Sequence, residues 1–307
     1  MQLRVGCEFA YDAAMPAPAV MLVEPHPDPE HTVVTERWET TPVLEHRTYL
    51  DGYNNRCRRL TLPQGPSTLR YDAVVETSGD PDPVSPGEPQ AAVEDLPDET
   101  LIYTLASRYC PTETLSENAW RIFGGSPLGW GRVHAVCDWI HTNIRYGVPS
   151  TPQTTAVDVF VGGGGMCRDF AHLAITFCRA LNIPARYVFG YISDIGDPGP
   201  PRPMDFHAWF EAYLGGRWWP FDARFNFPRI GRIPVGIGRD AVDVAMVTTY
   251  GPATFRSMVV WSDEVASEHG NIDHATGLAP NQDLRQGSEG LVVGRGEQTT
   301  TGEQGGT

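Results

Sequence analysis

Three residues in the second half of this chain combine side-chain type and setting suited to acyl chemistry: Cys167, His207 and Asp222. Cys167 follows the glycine run Gly162 to Gly165 and Met166. It opens a stretch in which Phe170, Leu173, Ala174, Phe177 and Leu181 fall at i, i+3, i+4, i+7 and i+11. That spacing predicts an amphipathic helix, its apolar stripe against a sheet, ended by Pro184 and with Cys167 in the first turn. A thiol there meets the positive end of the helix dipole and unpaired amide hydrogens, which predicts a pKa below the ~8.5 of free cysteine. The same letters also fit one more small buried residue behind a plain glycine loop. Glycine lets the backbone come close to a ligand, so Gly165 and Met166 are candidate substrate-binding residues. Cys178, in mid-helix, reads as structural.

The segment MDFHAWFEAYLGGRWWPFDARF reads as two strands joined at Gly215-Gly216, a favoured two-residue hairpin loop. If Leu214 pairs with Arg217, Trp209 lies opposite Asp222 and His207 opposite Arg224. Side chains alternate along a strand, so His207, Trp209, Glu211 and Asp222 share one face. His207 and Asp222 become diagonal neighbours roughly 7 to 8 Å apart at the backbone. Asp222 can then orient the imidazole, leaving its other nitrogen to take a thiol proton. A lone histidine on a strand is more often a half-buried surface residue, and the sequence does not place this face against Cys167. Trp209, on the His207 face, and Tyr146, ahead of the glycine run, are candidate substrate-binding residues; aromatic packing is the plainer reading of both. The Pro- and Asp-rich loop from 192 to 206 reads as a lid or, more simply, a solvated connection.

The elements that must position these residues come in a clear order. Residues 1–77 hold short strand-like runs (LRVGCEFAY, AVMLVEP, RTYLDG, RCRRLTL, LRYDAVVE) between turn clusters, a small all-β domain. Residues 78–97, rich in Pro, Asp and Glu, read as a semi-extended linker. From 98 to 265 helical patterns (101–109, 115–123, 131–146 and the Cys167 helix) precede strands, which implies an α+β domain with helices packed on an antiparallel sheet. Residues 266–307 read as a disordered tail with one apolar patch at 291–293.

Composition narrows the partners. A net charge of -15 argues against nucleic acid. Apolar residues are 41% of the chain, yet no run approaches the ~20 needed to cross a bilayer, and the first residues do not resemble a secretory signal. The expectation is a cytoplasmic protein with no membrane partner. Its six cysteines match neither a disulfide scaffold nor a CxxC site, and no metal-ligand pattern is visible, so neither metal nor other cofactor is expected.

The segments GMCRDFAHLAITFCRALNIPARYVFGY and DFHAWFEAYLGGRWWPFDAR, with the order Cys, His, Asp, resemble the transglutaminase-like superfamily, particularly bacterial members with an N-terminal β domain ahead of a papain-related core. The resemblance implies a nucleophile at Cys167, a general base and acid at His207 and an orienting carboxylate at Asp222. The reaction it implies is acyl transfer or hydrolysis at the amide of a peptide, protein or small molecule, with water or an amine as acceptor. Arg168 stands where animal transglutaminases carry a tryptophan, and no EF-hand pattern accompanies it. Some members of the superfamily are non-catalytic interaction modules, the alternative function for this chain.

Overall fold

The computed structural model describes residues 1–197 and 203–265, with the backbone of 292–294. Six strands come first: β1 (Gln2–Ala13), β2 (Ala17–Met21), β3 (His31–Thr41), β4 (His46–Leu50), β5 (Arg56–Leu62) and β6 (Gly65–Thr77). Alternation drives the first of them. Leu3, Val5, Cys7, Phe9 and Tyr11 of β1 all turn one way and are buried. The sequence pattern missed β3. Its residues, HTVVTERWETT, are mostly exposed at a sheet edge, where charge replaces the apolar alternation that marks a half-buried strand.

Helices α1 (Asp98–Leu101), α2 (Thr112–Phe123), α3 (Trp130–Asn143), α4 (Ala156–Gly162) and α5 (Cys167–Ala180) follow, with the two-residue strands β7 (Arg145–Tyr146) and β8 (Gly164–Gly165). The helix expected over 101–109 is reduced to α1 and a single 3-10 turn at Ile102–Thr104. Helix α5 departs from expectation in its depth. Every residue from Asp169 to Ala180 is buried, so it has no solvent face. Helices α2, α3 and α4 cover the side away from the sheet. Phe177 meets the rings of Phe123, Trp139 and Phe160 at 5.2, 5.8 and 5.8 Å; truncation to Ala there costs about 3–5 kcal/mol. The polar residues that burial would penalise find partners: Thr176 donates to the His172 carbonyl, and Arg179 to the carbonyls of Leu105, Ala185 and Arg239. Asn182, at φ 61°, closes the helix with Ile183 N–H bonded back to the Cys178 carbonyl. The stop is therefore a left-handed cap, and Pro184 follows it.

The remaining strands are β9 (Ala185–Ile192), β10 (His207–Leu214), β11 (Arg217–Phe221), β12 (Arg232–Gly238), β13 (Val247–Thr249), β14 (Ala253–Glu264) and β15 (Val292–Gly294). Antiparallel β11-β10-β9-β12 forms the sheet against which α5 packs. The N-terminal strands divide between two other sheets, ordered β14-β1-β6-β3 and β15-β13-β2-β5-β4. Thus β13 and β14, which sequence order groups with residues 98–265, complete the sheets of the N-terminal strands. Apolar core runs without a break from Leu3 and Val5 to Phe177 and Phe210. The tail expected to be disordered lies outside the described residues, except that 292–294 pair in parallel with β13.

Residues 78–97, expected as a linker, lie bound along the core. The Asp82 carboxylate accepts from the Arg229 backbone N–H and the Arg232 guanidinium, the Glu88 carbonyl from Trp130 N–H and the Pro89 carbonyl from Gly215 N–H, and Gln90 donates to the Leu181 carbonyl. A segment too polar to make a core of its own can still dock through hydrogen bonds and ion pairs. It acts as a strap.

Candidate active site

The hairpin has the expected register. Leu214 pairs with Arg217 and Phe210 with Phe221 across Gly215 and Gly216, both at positive φ (57° and 89°), where glycine carries no steric cost. One step beyond Phe210, this register carries Asp222 to the His207 face. His207 Nε2 lies 2.6 Å from Asp222 Oδ2, and both side chains are buried. Glu211, the other carboxylate of that face, is engaged elsewhere, bonded at 2.6 Å to Arg186 on β9.

Asp222 is held from several sides. Its Oδ1 accepts from the backbone N–H of Arg224 at 2.9 Å and of Phe225 at 3.2 Å, and Arg232 Nη2 on β12 reaches Oδ2 at 3.1 Å. Burial alone would raise this carboxyl. The His207 ring, Arg232 and the backbone donors outweigh burial and hold it well below the usual carboxylate range. Arg232 in turn donates to Asp82 of the strap at 2.8 Å. An ionised Asp222 fixes the proton of His207 on Nε2 and leaves Nδ1 as the acceptor nitrogen. Burial lowers the His207 pKa, against the pull of Asp222.

Cys167 occupies the first position of α5. Asp169 Oδ2 accepts from Met166 N–H at 2.8 Å and secures the turn that presents it. Gly165 leaves no room for a side chain, since a Cβ there would stand 2.7 Å from Asp169 Cβ. The backbone N–H of Ala208, the residue after His207, acts on the Cys167 thiol and favours its ionised form, which sets thiol and imidazole at the same end of β10. It is the one half-buried cysteine; the other five are buried. The low pKa expected from the helix start is not found. Burial pushes the thiol up to about 11, and the opposing pull of Arg224 and the Ala208 N–H is weaker.

The candidate substrate residues separate. Tyr146 is 38% exposed and pairs through β7 with Gly165 of β8, so it stands beside the Cys167 turn with one face under the Arg224 guanidinium at 3.9 Å. Trp209 is 1% exposed, enclosed by Val188, Ile237 and the Arg232 guanidinium at 4.9 Å, so its indole supports the sheet beneath His207 and offers no open face to a substrate. A cavity of about 230 Å3 opens on the far side of Asp222, lined among others by Asp82, Trp130, Cys137, Phe227 and Arg232; neither Cys167 nor His207 borders it.

Sequence reasoning missed Arg224, Arg232 and Asp82. For Arg224 a signal was present, because the hairpin register sets it opposite His207. Arg232 and Asp82 reach the site from β12 and the strap, through contacts that no local spacing encodes.

Comparison with known proteins gives the family. The model described as the transglutaminase-like superfamily core matches residues 121–223, which include Cys167, His207 and Asp222. An uncharacterised protein from Mycobacterium leprae is 31% identical over 232 residues, 72% of this chain and 81% of its own. One from Mycobacterium bovis is 36% identical over 116 residues, 34% of this chain and 37% of its own. Among solved structures, a candidate cysteine protease from Cytophaga hutchinsonii is similar at a TM-score of 0.78 and 29% identity, covering 89% of this chain and 94% of that one. From its residues 121–223, and from likeness to relatives over most of their length, this chain belongs to the transglutaminase-like superfamily.

Proposed function

We propose that the chain performs cysteine-dependent acyl transfer or hydrolysis at an amide. Cys167 is the nucleophile, His207 the base and then the acid, and Asp222 the orienting carboxylate. The observation that carries this reading is the 2.6 Å contact of His207 Nε2 with Asp222, which leaves Nδ1 to act at the end of β10 where the Cys167 sulfur lies. His207 takes the thiol proton through Nδ1 as sulfur attacks the carbonyl carbon. The backbone N–H of Cys167, at the start of α5, is the natural donor to the oxyanion. Collapse of the tetrahedral species breaks the C–N bond, and the leaving amine or ammonia takes the proton from His207. Water or a second amine then attacks the thioester, gives its proton to His207 and releases Cys167. A thiol pushed up to about 11 makes the base indispensable, since little thiolate exists near neutrality without it.

The likeness to a candidate cysteine protease favours peptide or protein amides as acyl donors. The test is turnover of peptide and amide libraries by the purified chain, with and without added amines, followed by mass change and ammonia release. Turnover that survives in Cys167→Ala would overturn the reading. Amine incorporation would identify a transferase, and its absence with product acid present a hydrolase.

A further inference from the structure

Arginines surround the candidate triad, and three of the four are committed. Arg168 pairs with Asp169 at 3.0 Å, Arg229 with Asp197 at 2.7 Å, and Arg232 with both Asp82 and Asp222. Arg224 is different. Among the described residues it forms no ion pair, in a chain of net charge -15 where carboxylates are plentiful. Its guanidinium carbon lies over the Tyr146 ring at 3.9 Å and over the Phe225 ring at 4.5 Å, and the one side-chain hydrogen bond it makes among the described residues runs from Nη1 to His207 Nδ1 at 3.3 Å. Stacking on rings fixes the plane of a guanidinium and leaves its edge for a carboxylate, which it can bind with two parallel hydrogen bonds.

We propose that Arg224 is the specificity residue of this site: it receives a carboxylate carried by the acyl donor beside the amide that Cys167 attacks, so that acidic peptides or other anionic amides are the preferred substrates. This rests on Cys167 being the nucleophile. The position of Nη1 supplies the second half of the argument. Nδ1 cannot accept a hydrogen bond from Arg224 and the proton of Cys167 with the same lone pair. A substrate carboxylate that draws the guanidinium toward itself frees Nδ1, so the correct substrate both occupies the site and releases its base. Asp205, exposed near the same thiol, sets the opposing charge: its field acts on Cys167 and on Arg224 without an ion pair to either. It tempers the attraction for anions.

The experiment measures alkylation of Cys167 by iodoacetate, an anion, and by neutral iodoacetamide, with the modified residue located by mass spectrometry and folding checked by thermal melting. The ratio of the two rates should fall on the order of tenfold in Arg224→Gln, as expected for loss of one nearby charge at intermediate dielectric. It should be largely kept in Arg224→Lys and should rise in Asp205→Asn. Equal slowing of both reagents in Arg224→Gln would overturn the proposal and make Arg224 a support for His207 alone. If neither reagent reaches Cys167 faster than the other five cysteines, the nucleophile assignment itself fails and the proposal falls with it. Should Arg224→Gln not fold, the Lys and Asp205 variants still decide: a lost ratio in Arg224→Lys together with an unmoved ratio in Asp205→Asn would refute the charge argument.

Discussion

Asp222 and Arg232 form a buried ion pair whose anion also holds His207: one carboxylate oxygen, Oδ2, receives His207 Nε2 at 2.6 Å and Arg232 Nη2 at 3.1 Å. The carboxylate that faces the imidazole is thus also, with Asp82, one of the two counter-ions of a buried guanidinium.

Replacing Asp222 by Asn therefore has two effects. A donor now faces Nε2 and favours the wrong tautomer of His207, so turnover should fall by about 10^4, as in comparable triads. The loss should be non-additive with that of His207→Ala, because the two act as one unit. On sequence grounds alone little loss of stability is expected; the Arg232 contact changes that, and although Asp82 still pairs the cation, losing its charge-assisted bond to Asp222 should cost about 1.5–3 kcal/mol. Urea denaturation and steady-state kinetics on the same variant check both halves, and near-native turnover would remove Asp222 from the mechanism.

Cys167 should be separable from the fold. It is half-buried at a helix start, so Cys167→Ser should melt within a few degrees of the parent while abolishing turnover. In the intact chain Cys167 should alkylate ahead of the five buried cysteines near neutral pH. In His207→Ala that advantage should vanish, with labelling recovered only as pH climbs toward about 11, where burial has set the thiol. Labelling that is insensitive to His207 would break the proposed pair.

Removing the strap's charge should be felt at the imidazole. Asp82→Asn leaves Arg232 a stronger net cation beside Asp222 and His207, which disfavours protonation of the ring. The acid limb of the kcat/KM profile should accordingly move to lower pH, whereas a merely structural loss would lower rates without moving it. An unmoved limb would confine Asp82 to a structural role.

A histidine outside the triad should govern acid stability. His172 is fully buried between the rings of Tyr109 and Tyr187, its Nε2 accepting from Ala241 N–H, and burial pushes its pKa down to about 3 from 6.5. Below pH 6.5 the unfolded chain binds a proton that the folded chain refuses, so stability is complete above 6.5 and drains as pH falls toward 3. Between pH 7 and pH 4.5 this amounts to about 2–3 kcal/mol. The buried His207, also lowered, acts in the same direction. His172→Gln should flatten the fall in urea midpoint over that interval, and an unchanged slope would dismiss His172 as its source.

How much of this was legible beforehand depends on the range of the contact. Helix α5 and the hairpin could be read because period and turn chemistry are local: Phe170 to Leu181 keep a helical step, and Gly215-Gly216 fixes which residues of β10 and β11 face together. That register brought His207 and Asp222 to one face. The depth of α5 was not legible, because buried His172, Thr176 and Arg179 look like a polar face until the Ala241 N–H, the helix's own carbonyl at His172 and the carbonyls of Leu105 and Arg239 are placed against them. Nor was the state of Cys167, since helix position is written in the sequence and desolvation by neighbouring elements is not. Asp82 could be seen as an acidic residue in a proline-rich stretch, but its partner stands 150 positions away.

The pairing of β1 with β14 joins Leu3 to Glu264 and Ala13 to Ala253. During synthesis β1 can meet β6 early, but its other edge stays open until β14, at residues 253–264, has been made. Closure of that edge is therefore among the last events available to the nascent chain, and a long sequence separation of this kind slows folding. Genetic dissection at the strap would not yield two folding units either: a fragment of residues 98–307 would keep β14 without β1 and β13 without β2, two open edges prone to self-association.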